Sequence, residues 1–211
     1  NRVLQQRNKL LKSDTPPSEI LLEAFSGQLN RDADYIFRKR GELAQELNAL
    51  AAGFYARLSD GKESISLEYS SDLNRATMAQ LLKSAYQRDI VLKYTSVGIQ
   101  RDDYDFMMNG YPLKKCASQG QQKTFLISLK LAQLDMTRRR CGHSPILLLD
   151  DVFDKLDMKR VELLMNMVSK EGFGQLFVTD SNKVRVSDLV KKLDNESRFY
   201  TVTKGEFSEV K

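Results

Sequence analysis

The first quarter of the chain carries apolar residues at helical spacing. Residues 1–12 look like the end of a helix, and Pro16-Pro17-Ser18 predicts a break before another one. From Ser18 to about Tyr55, apolar residues recur in the stripe of a long amphipathic helix: Leu22, Phe25, Leu29, Ile36, Leu43, Leu47, Leu50 and Phe54. The pattern leaves two arrangements open, an antiparallel helical arm or ordinary helix packing within a globule.

After Ser59-Asp60-Gly61 the hydrophobic period changes. Alternation over residues 64–69 predicts a half-exposed strand, and residues 74–88 return to helical spacing. Val91, Tyr94 and Val97 indicate another extended segment. Asn109-Gly110 predicts a hairpin turn within residues 103–113, and a helix follows over about 118–140.

The last third of the chain alternates strands with helices. The apolar run Ile146–Leu149 predicts a buried strand, and residues 175–179 predict a second one. Helices are expected over 158–169 and 183–193, with a strand over 198–204. This order predicts an α/β fold with a mostly parallel sheet covered on both faces.

Composition restricts the class of protein. The 211 residues suffice for one large domain or two small ones, and 41% hydrophobic with 29% charged residues is typical of globular proteins. The sequence has no membrane-length apolar run and no leader, so we expect a cytoplasmic protein without a membrane partner. Cys116 and Cys141 are too few for a disulfide framework or a zinc set. The start at Asn1, within a helical pattern, suggests a piece of a longer protein.

The net charge of +5 is concentrated in residues 61–145. Such a basic excess suits an anionic partner such as nucleic acid, although on charge alone we favour an ordinary solvated surface.

Two adjacent acids, Asp150 and Asp151, end the apolar strand. The carboxyl ends of parallel strands are where ligands usually bind, and a Mg²⁺ ion held with phosphate oxygens would compensate the repulsion between two carboxylates. An Asp-rich turn after a strand is the structural alternative.

A serine-led helix start, Ser118-Gln119-Gly120-Gln121-Gln122-Lys123, precedes this strand. Free amides and the helix dipole there attract phosphate, Gly120 allows close approach, and Ser118 and Lys123 could assist. A polar N-cap is the simpler reading of the motif taken alone.

The order of these motifs is similar to one half of an ABC-type ATPase, with a signature motif, a Walker B strand and a D-loop. The wording ASQGQQK at 117–123, LLDDVF at 148–153 and VGIQRDD at 97–103 resembles the RecF family of SMC/ABC-like ATPases. Residues 1–8 and 58–69 extend the resemblance over nearly the whole chain.

The resemblance implies a role for each motif residue. Asp150 would hold Mg²⁺, and Asp151 would orient or activate the attacking water. The signature residues would contact the γ-phosphate of ATP bound to the other subunit, and Asp157 would be the D-loop acid at that interface. The signature set comprises Ser118, Gly120, Gln121, Gln122 and Lys123.

Several positions depart from the family pattern. No Gly-x-x-x-x-Gly-Lys-Ser/Thr loop is present in the sequence, so the phosphate-binding loop lies outside it. Asp180 stands where related ATPases often place a switch histidine, and Gln100 stands where RecF proteins often have His. The role of both positions is left open. His143 is expected at the surface.

Two charged groups have structural explanations. Arg138-Arg139-Arg140 ends the signature helix, where cations meet the negative end of the helix dipole. Arg101-Asp102-Asp103 could be an ion-paired corner or part of a nucleotide interface, and we favour the corner.

The resemblance implies a helical arm or lid over 1–60 and the carboxy-terminal part of an ABC-like ATPase domain over 61–211. It also implies an ATP-dependent homodimer on duplex or gapped DNA, acting in DNA repair, replication and the SOS response with RecO and RecR. Whether the chain is an enzyme by itself is left open: without the phosphate loop, we expect it to be inactive and to bind ATP weakly. The alternatives are another SMC-like ATPase, of Rad50 or OLD type, and a non-catalytic interaction module. The lack of a long heptad run argues against the Rad50 type.

Overall fold

The computed structural model describes residues 2–154, 156–170, 173–181 and 197–210. Its contacts divide the chain into two compact units, Asn1–Ala52 with Ser64–Cys116, and Gly53–Glu63 with Ala117–Lys211. This division differs from the one predicted at residue 60 because the chain returns to the first unit after Glu63. The functional division into 1–60 and 61–211 stays a prediction.

The described residues form helices and strands in mixed order. The helices are α1 (Arg2–Leu11), α2 (Glu19–Glu23), α3 (Ser26–Ser59), α4 (Met78–Ser84), α5 (Tyr86–Leu92), α6 (Leu113–Cys116), α7 (Gln119–Cys141) and α8 (Met158–Lys170). The strands are β1 (Ile65–Ser70), β2 (Asp103–Met108), β3 (Tyr111–Pro112), β4 (Leu147–Asp150), β5 (Leu176–Thr179), β6 (Phe199–Thr203) and β7 (Glu206–Val210). Short 3-10 turns lie at Asp72–Asn74 and Ile99–Arg101.

The first unit begins with helices as predicted, but one predicted helix is divided in two. The helix over residues 1–12 is confirmed as α1, and Ser18 caps α2 by accepting a hydrogen bond from the Leu21 amide. The single long helix predicted from Ser18 is interrupted. Phe25 N donates to Leu22 O in a tighter turn, and α3 then runs unbroken over 34 residues.

A small apolar core holds the first unit together. Leu29 and Ala33 of α3 pack with Met78 and Leu82 of α4, and side chains from α1 and from the 97–99 loop cover them. Helical spacing on α3 predicts the buried face only in part, since Leu29 is buried but Leu43 of the same predicted stripe is 39% exposed.

Residues 74–97 differ from the prediction. The segment forms two short helices, α4 and α5, and Val91 lies within α5 with its side chain 80% exposed. The extended segment predicted over 91–97 is therefore wrong at its start. Its apolar residues are instead part of a helix end followed by a loop.

The three-stranded sheet of the first unit is antiparallel in the order β1-β2-β3. The hairpin predicted at Asn109-Gly110 is confirmed: both residues have positive φ, 50° and 80°, as a two-residue hairpin turn requires. Asp102, just before β2, is an ion-paired corner as we favoured. Its carboxylate accepts hydrogen bonds from Arg40 at 2.8 Å and from the Tyr69 hydroxyl.

The pKa of Tyr69 follows from that corner. Burial, together with the hydrogen bond to the Asp102 carboxylate, raises the pKa of Tyr69 to about 12. The corner therefore contains the neutral phenol of Tyr69 and the ion pair between Arg40 and Asp102.

The second unit carries the predicted α/β elements. β4 and β5 pair in parallel, with Leu148 opposite Phe177 and Asp150 opposite Thr179, and α7 and α8 match the predicted helices. The strand predicted over 198–204 is present as β6, but it forms an antiparallel hairpin with β7. The helix predicted over 183–193 lies outside the described residues.

The apolar faces of α7 and α8, together with Phe153 and Phe173 from the loops beside α8, supply the core of the second unit. Its members are largely inaccessible to solvent: Phe125, Ile127, Leu131, Ala132, Met136, Phe153, Val161, Leu164, Met165, Met167, Val168 and Phe173. The strand predicted to be fully buried is buried on one side only. Leu149 is 8% exposed, whereas Ile146 and Leu148 are 60% and 69% exposed.

Within the described part of the chain, no helix is long and apolar enough to cross a membrane.

Candidate nucleotide site

The two acids predicted to bind Mg²⁺ and water lie at the carboxyl end of the parallel strand pair. Asp150 is the last residue of β4, and its carboxylate accepts a hydrogen bond from the hydroxyl of Thr179, the last residue of β5. The Asp151 amide donates to Thr179 O at 3.1 Å. The parallel register therefore fixes both acids at the sheet edge where ligands of such sheets bind.

Asp151 has an unusual backbone. Its φ is +47°, in the left-handed region that residues other than glycine adopt infrequently, although Asp adopts it more readily than most. The turn exposes the side chains of both Asp150 and Asp151. Because both side chains are exposed, water can separate the two charges and lower their repulsion.

The carboxyl ends of β4 and β5, with Asp150, Asp151 and Thr179, form a second corner, and its oxygen donors fit Mg²⁺. The ion typically takes one or two protein carboxylates and completes its shell with water and substrate phosphate. Among the described residues there is no cluster of three or more His, Cys, Asp or Glu side chains that could hold a metal ion. Asp150, with the Thr179 hydroxyl beside it, could therefore hold Mg²⁺ only together with phosphate and water.

The serine-led helix start is a capping box. Ser118 Oγ accepts from the Gln121 amide at 3.3 Å, and Gln121 Oε1 accepts from the Ser118 amide at 2.7 Å. The pattern Ser-x-x-Gln explains both bonds. The first amides of α7, at Gln119 and Gly120, have no carbonyl within the helix to bond, so they are the groups suited to phosphate.

Glu63 holds the other end of the Gln121 side chain. Gln121 Nε2 donates to Glu63 Oε1 at 2.9 Å, and the Tyr55 hydroxyl lies 3.4 Å from Glu63 Oε2. Burial, with the Glu63 carboxylate alongside, raises the pKa of Tyr55. Both polar ends of Gln121 are thus engaged within the second unit.

The side chains of the next two motif residues also have partners in the chain. Gln122 Nε2 donates to Ala117 O at 2.9 Å, and Lys123 Nζ donates to Asp151 O at 3.1 Å. The second bond brings the signature-like helix start and the paired acids together in one unit.

Asp157, the predicted D-loop acid, acts as a helix cap. Its carboxylate accepts from the Arg160 amide at 2.9 Å and lies 3.5 Å from Arg160 Nε. This local role accounts for an acid at the start of α8 without any ligand.

The remaining candidates are exposed or have structural partners. Arg138 and Arg139 both pair with the carboxylate of Asp135, whose side chain is 5% exposed, so the arginine run is held by more than the helix dipole. His143 is exposed, as predicted. Gln100 in the first unit donates its amide to Val97 O at 2.6 Å.

Two residues of the corner, Thr179 and Glu63, were missed from the sequence. Thr179 could have been found, because it ends the second predicted strand and must face the end of the first in a parallel pair. Glu63 has no such signal: it lies between a helix and a strand, and only the folded chain brings it to Gln121.

Comparison with known proteins gives close relatives along the whole chain. No protein-family model matches it. The DNA replication and repair protein RecF of Bacteroides thetaiotaomicron is 36% identical over 210 residues, and that of Azobacteroides pseudotrichonymphae is 38% identical over 211 residues. Both alignments cover 100% of this chain, and they cover 57% and 58% of those proteins.

Solved structures agree with these relatives. A structure of the recombination mediator protein RecF with ATPγS, in the RecFOR pathway, matches with a TM-score of 0.76 and 27% identity, over 100% of this chain and 57% of that one. An SMC ATPase structure matches with a TM-score of 0.51 at 11% identity, over 80% of this chain and 84% of that one, and shows the fold alone.

The sequence relatives and the solved structures both point to RecF proteins. The predicted α/β fold class, that of an SMC-like ATPase head, is confirmed. The chain belongs to the RecF family, and it spans a little over half the length of the curated relatives that it matches.

Proposed function

We propose that the intact protein is an ATP-dependent DNA-binding protein of DNA repair and replication, and that this chain supplies the Walker B and signature parts of its ATP site. One observation carries the proposal. The acids at the end of β4 and the serine-capped start of α7 lie in one compact unit, joined by the hydrogen bond from Lys123 to Asp151. RecF relatives, one of them solved with ATP, support the nucleotide.

Each residue of the corner has a chemical task in this proposal. Asp150, oriented by Thr179, holds Mg²⁺, which neutralises charge on the phosphates when bound. Asp151 accepts a hydrogen bond from the attacking water and orients it. The Ser118 hydroxyl and the backbone amide of Gly120 contact the γ-phosphate of ATP held by a second copy of the protein.

Contacts within the chain decide how available each of the other signature residues is for phosphate. Gln121, Gln122 and Lys123 are assigned to the same site, but each would have to leave its present partner to reach a phosphate. Asp157 caps α8 and, in this proposal, also lies at the dimer interface. Ser118 and Gly120 are therefore the principal phosphate contacts.

ATP bound between two copies favours a homodimer, because each site is complete only when both copies close. The dimer presents a basic surface to duplex or gapped DNA, and hydrolysis releases it. We further propose action in the cytoplasm, in the SOS response, with RecO and RecR as partners in loading recombinase. The relatives' names and the basic excess of residues 61–145 support the DNA part of this proposal.

Replacing Asp151 tests the catalytic assignment. In the intact protein, Asp151→Asn should keep ATP-dependent dimers but lower ATP turnover by about 10²–10⁴-fold, the usual contribution of such a base. Dimers are measured by sedimentation and turnover by phosphate release. Asp14→Asn, at another exposed carboxylate, is the matched control and should leave both unchanged. Unchanged turnover in Asp151→Asn would refute the assignment.

A second candidate function is a non-catalytic interaction module. It is favoured by the capping roles of Ser118 and Asp157, which explain two motif residues without a ligand. In that case neither ATP-dependent dimers nor turnover would be detected in the intact wild-type protein.

A further inference from the structure

Lys123 makes a contact that its assignment as a phosphate ligand does not explain. It lies one turn into α7, and its ammonium group donates to the backbone carbonyl of Asp151 at 3.1 Å. The side chain is half-buried. A charged donor makes a hydrogen bond roughly twice as strong as a neutral one, so this contact holds Asp151 firmly.

The backbone of Asp151 is thereby held from two sides. Its amide donates to Thr179 O of β5, and its carbonyl accepts from Lys123 of α7. Because its φ of +47° is an infrequent conformation, such contacts are what keep the residue in it. The direction of the Asp151 carboxylate therefore depends on the position of the start of α7, which carries Lys123.

Hydrogen bonds tie together the first turn of α7, which immediately precedes Lys123. The capping box between Ser118 and Gln121 closes the first turn, and Glu63 holds the Gln121 amide at 2.9 Å. A displacement at Ser118 is therefore carried to Lys123 rather than absorbed by fraying of the helix end.

We propose that Lys123 is a positioning residue that couples the two ATP sites of the dimer. This rests on the proposed function, in which Ser118 of one copy contacts the ATP held by its partner, whereas Asp151 serves the ATP of its own copy. Lys123 connects these two groups within one chain. When α7 closes on the partner's ATP, it sets the Asp151 turn of its own site, so that each site becomes competent as the other closes.

Mixed dimers of the intact protein separate this role from a direct phosphate contact. Two differently tagged copies are captured in sequence with ATP, and the turnover of each mixed dimer is measured. One dimer pairs wild type with a copy that carries both Lys123→Met and Asp151→Asn. The other pairs a Lys123→Met copy with an Asp151→Asn copy.

The two roles give opposite results. If Lys123 acts through its own Asp151, the first dimer keeps one complete site and about half of wild-type turnover, while the second loses most of its turnover. A loss of about 5–150-fold is the usual size of coupling between sites. If Lys123 touches the partner's ATP, the second dimer is the active one, and that result would overturn the inference.

Two variants of the same helix serve as controls. Lys123→Arg keeps a cationic donor and should restore most of the turnover lost in Lys123→Met. Lys130→Met removes an exposed lysine whose contact is with Gln133, and it should behave as wild type. Failure of Lys123→Arg to restore turnover would also overturn the inference.

The proposed function fails by a different result. If wild-type protein forms no ATP-dependent dimer, or if Asp151→Asn turns over ATP normally, the ATP site itself is wrongly placed. If both hold as expected but the two mixed dimers have equal turnover, only the role of Lys123 is overturned.

Discussion

At the scale of single residues, Gly98 shows how closely one backbone position is specified. Its φ is +105°, and its amide donates to Asp72 Oδ2 at 3.0 Å. A Cβ at this position would lie 2.4 Å from both Sδ and Cε of Met78, whose side chain is 1% exposed. A side chain at residue 98 would therefore meet both backbone strain and a packed core.

We predict that Gly98→Ala destabilises the chain by about 1–3 kcal/mol through backbone strain, and that displacement of the Met78 side chain adds to this cost. Gly41 is the matched control: it lies inside α3, and a Cβ there meets nothing within 4 Å. Gly41→Ala should stabilise by roughly 0.5–1 kcal/mol through helix propensity. Urea unfolding of both variants measures the difference, and equal midpoints would contradict the assignment.

Two of the motif residues have a structural role besides the predicted one. Ser118 and Asp157 were predicted from a resemblance to ATPase motifs, and both also cap helices. The sequence could not rank these roles, because the same residue types suit a cap and a phosphate or interface contact. The structure adds that Gln121 and Lys123 already use their donors within the chain, whereas Ser118 Oγ only accepts in the capping box and keeps its hydroxyl proton to donate.

At the scale of elements, a buried polar network fastens α1 to the end of α5. Arg7 pairs with Asp89 at 2.8 Å, and their side chains are 2% and 0% exposed. Arg7 also donates to Thr95 Oγ1, while Asn8 Oδ1 accepts from the Thr95 amide. The sequence shows only polar helix residues here, because charge pairing across 82 positions leaves no periodic signal.

Removing the cation of this network should be costly. We predict that Arg7→Met lowers the free energy of unfolding by about 3–5 kcal/mol, because Asp89 would be left as an unpaired buried charge. Lys9→Met, an exposed position on the same helix, should change it by less than about 0.5 kcal/mol. The urea midpoints of the two variants provide the measurement, and similar midpoints would show that the pair is not essential.

The elements also show where periodicity succeeds and fails. It located α7, α8, the β2–β3 hairpin and the parallel pair of β4 with β5. It failed at Phe25, where a local turn divides the predicted long helix, and at Val91, where apolar residues of a short helix imitate an extended segment. Runs this short fit both periods, so only tertiary contacts decide between them.

At the scale of the whole molecule, the chain spans about 57% of its relatives' length and carries no phosphate-binding loop in its sequence. In the proposed ATP site, the amides and acids of the described corner offer few groups to hold the nucleotide. The structure therefore agrees with a division of labour in which the main phosphate cradle comes from elsewhere in the intact protein.

This division predicts weak nucleotide binding by the chain itself. Titration of Mg-ATP into the 211-residue chain should give no calorimetric signal at micromolar concentrations, whereas the intact protein should bind. A micromolar dissociation constant for the chain would contradict the proposed placement of the site and would point to a phosphate cradle within these residues.

The sequence by itself determined the α/β class, which follows from local periodicity, and the family, which follows from the resemblance of its motifs to those of RecF proteins. Tertiary structure alone decided that Thr179 orients Asp150, that Glu63 holds Gln121 and that Lys123 reaches the Asp151 carbonyl. Each of these contacts joins residues that are far apart in the chain or lie in different elements. Hydrogen bonds of that kind depend on how elements pack, and packing leaves no repeat in the sequence from which they could be predicted.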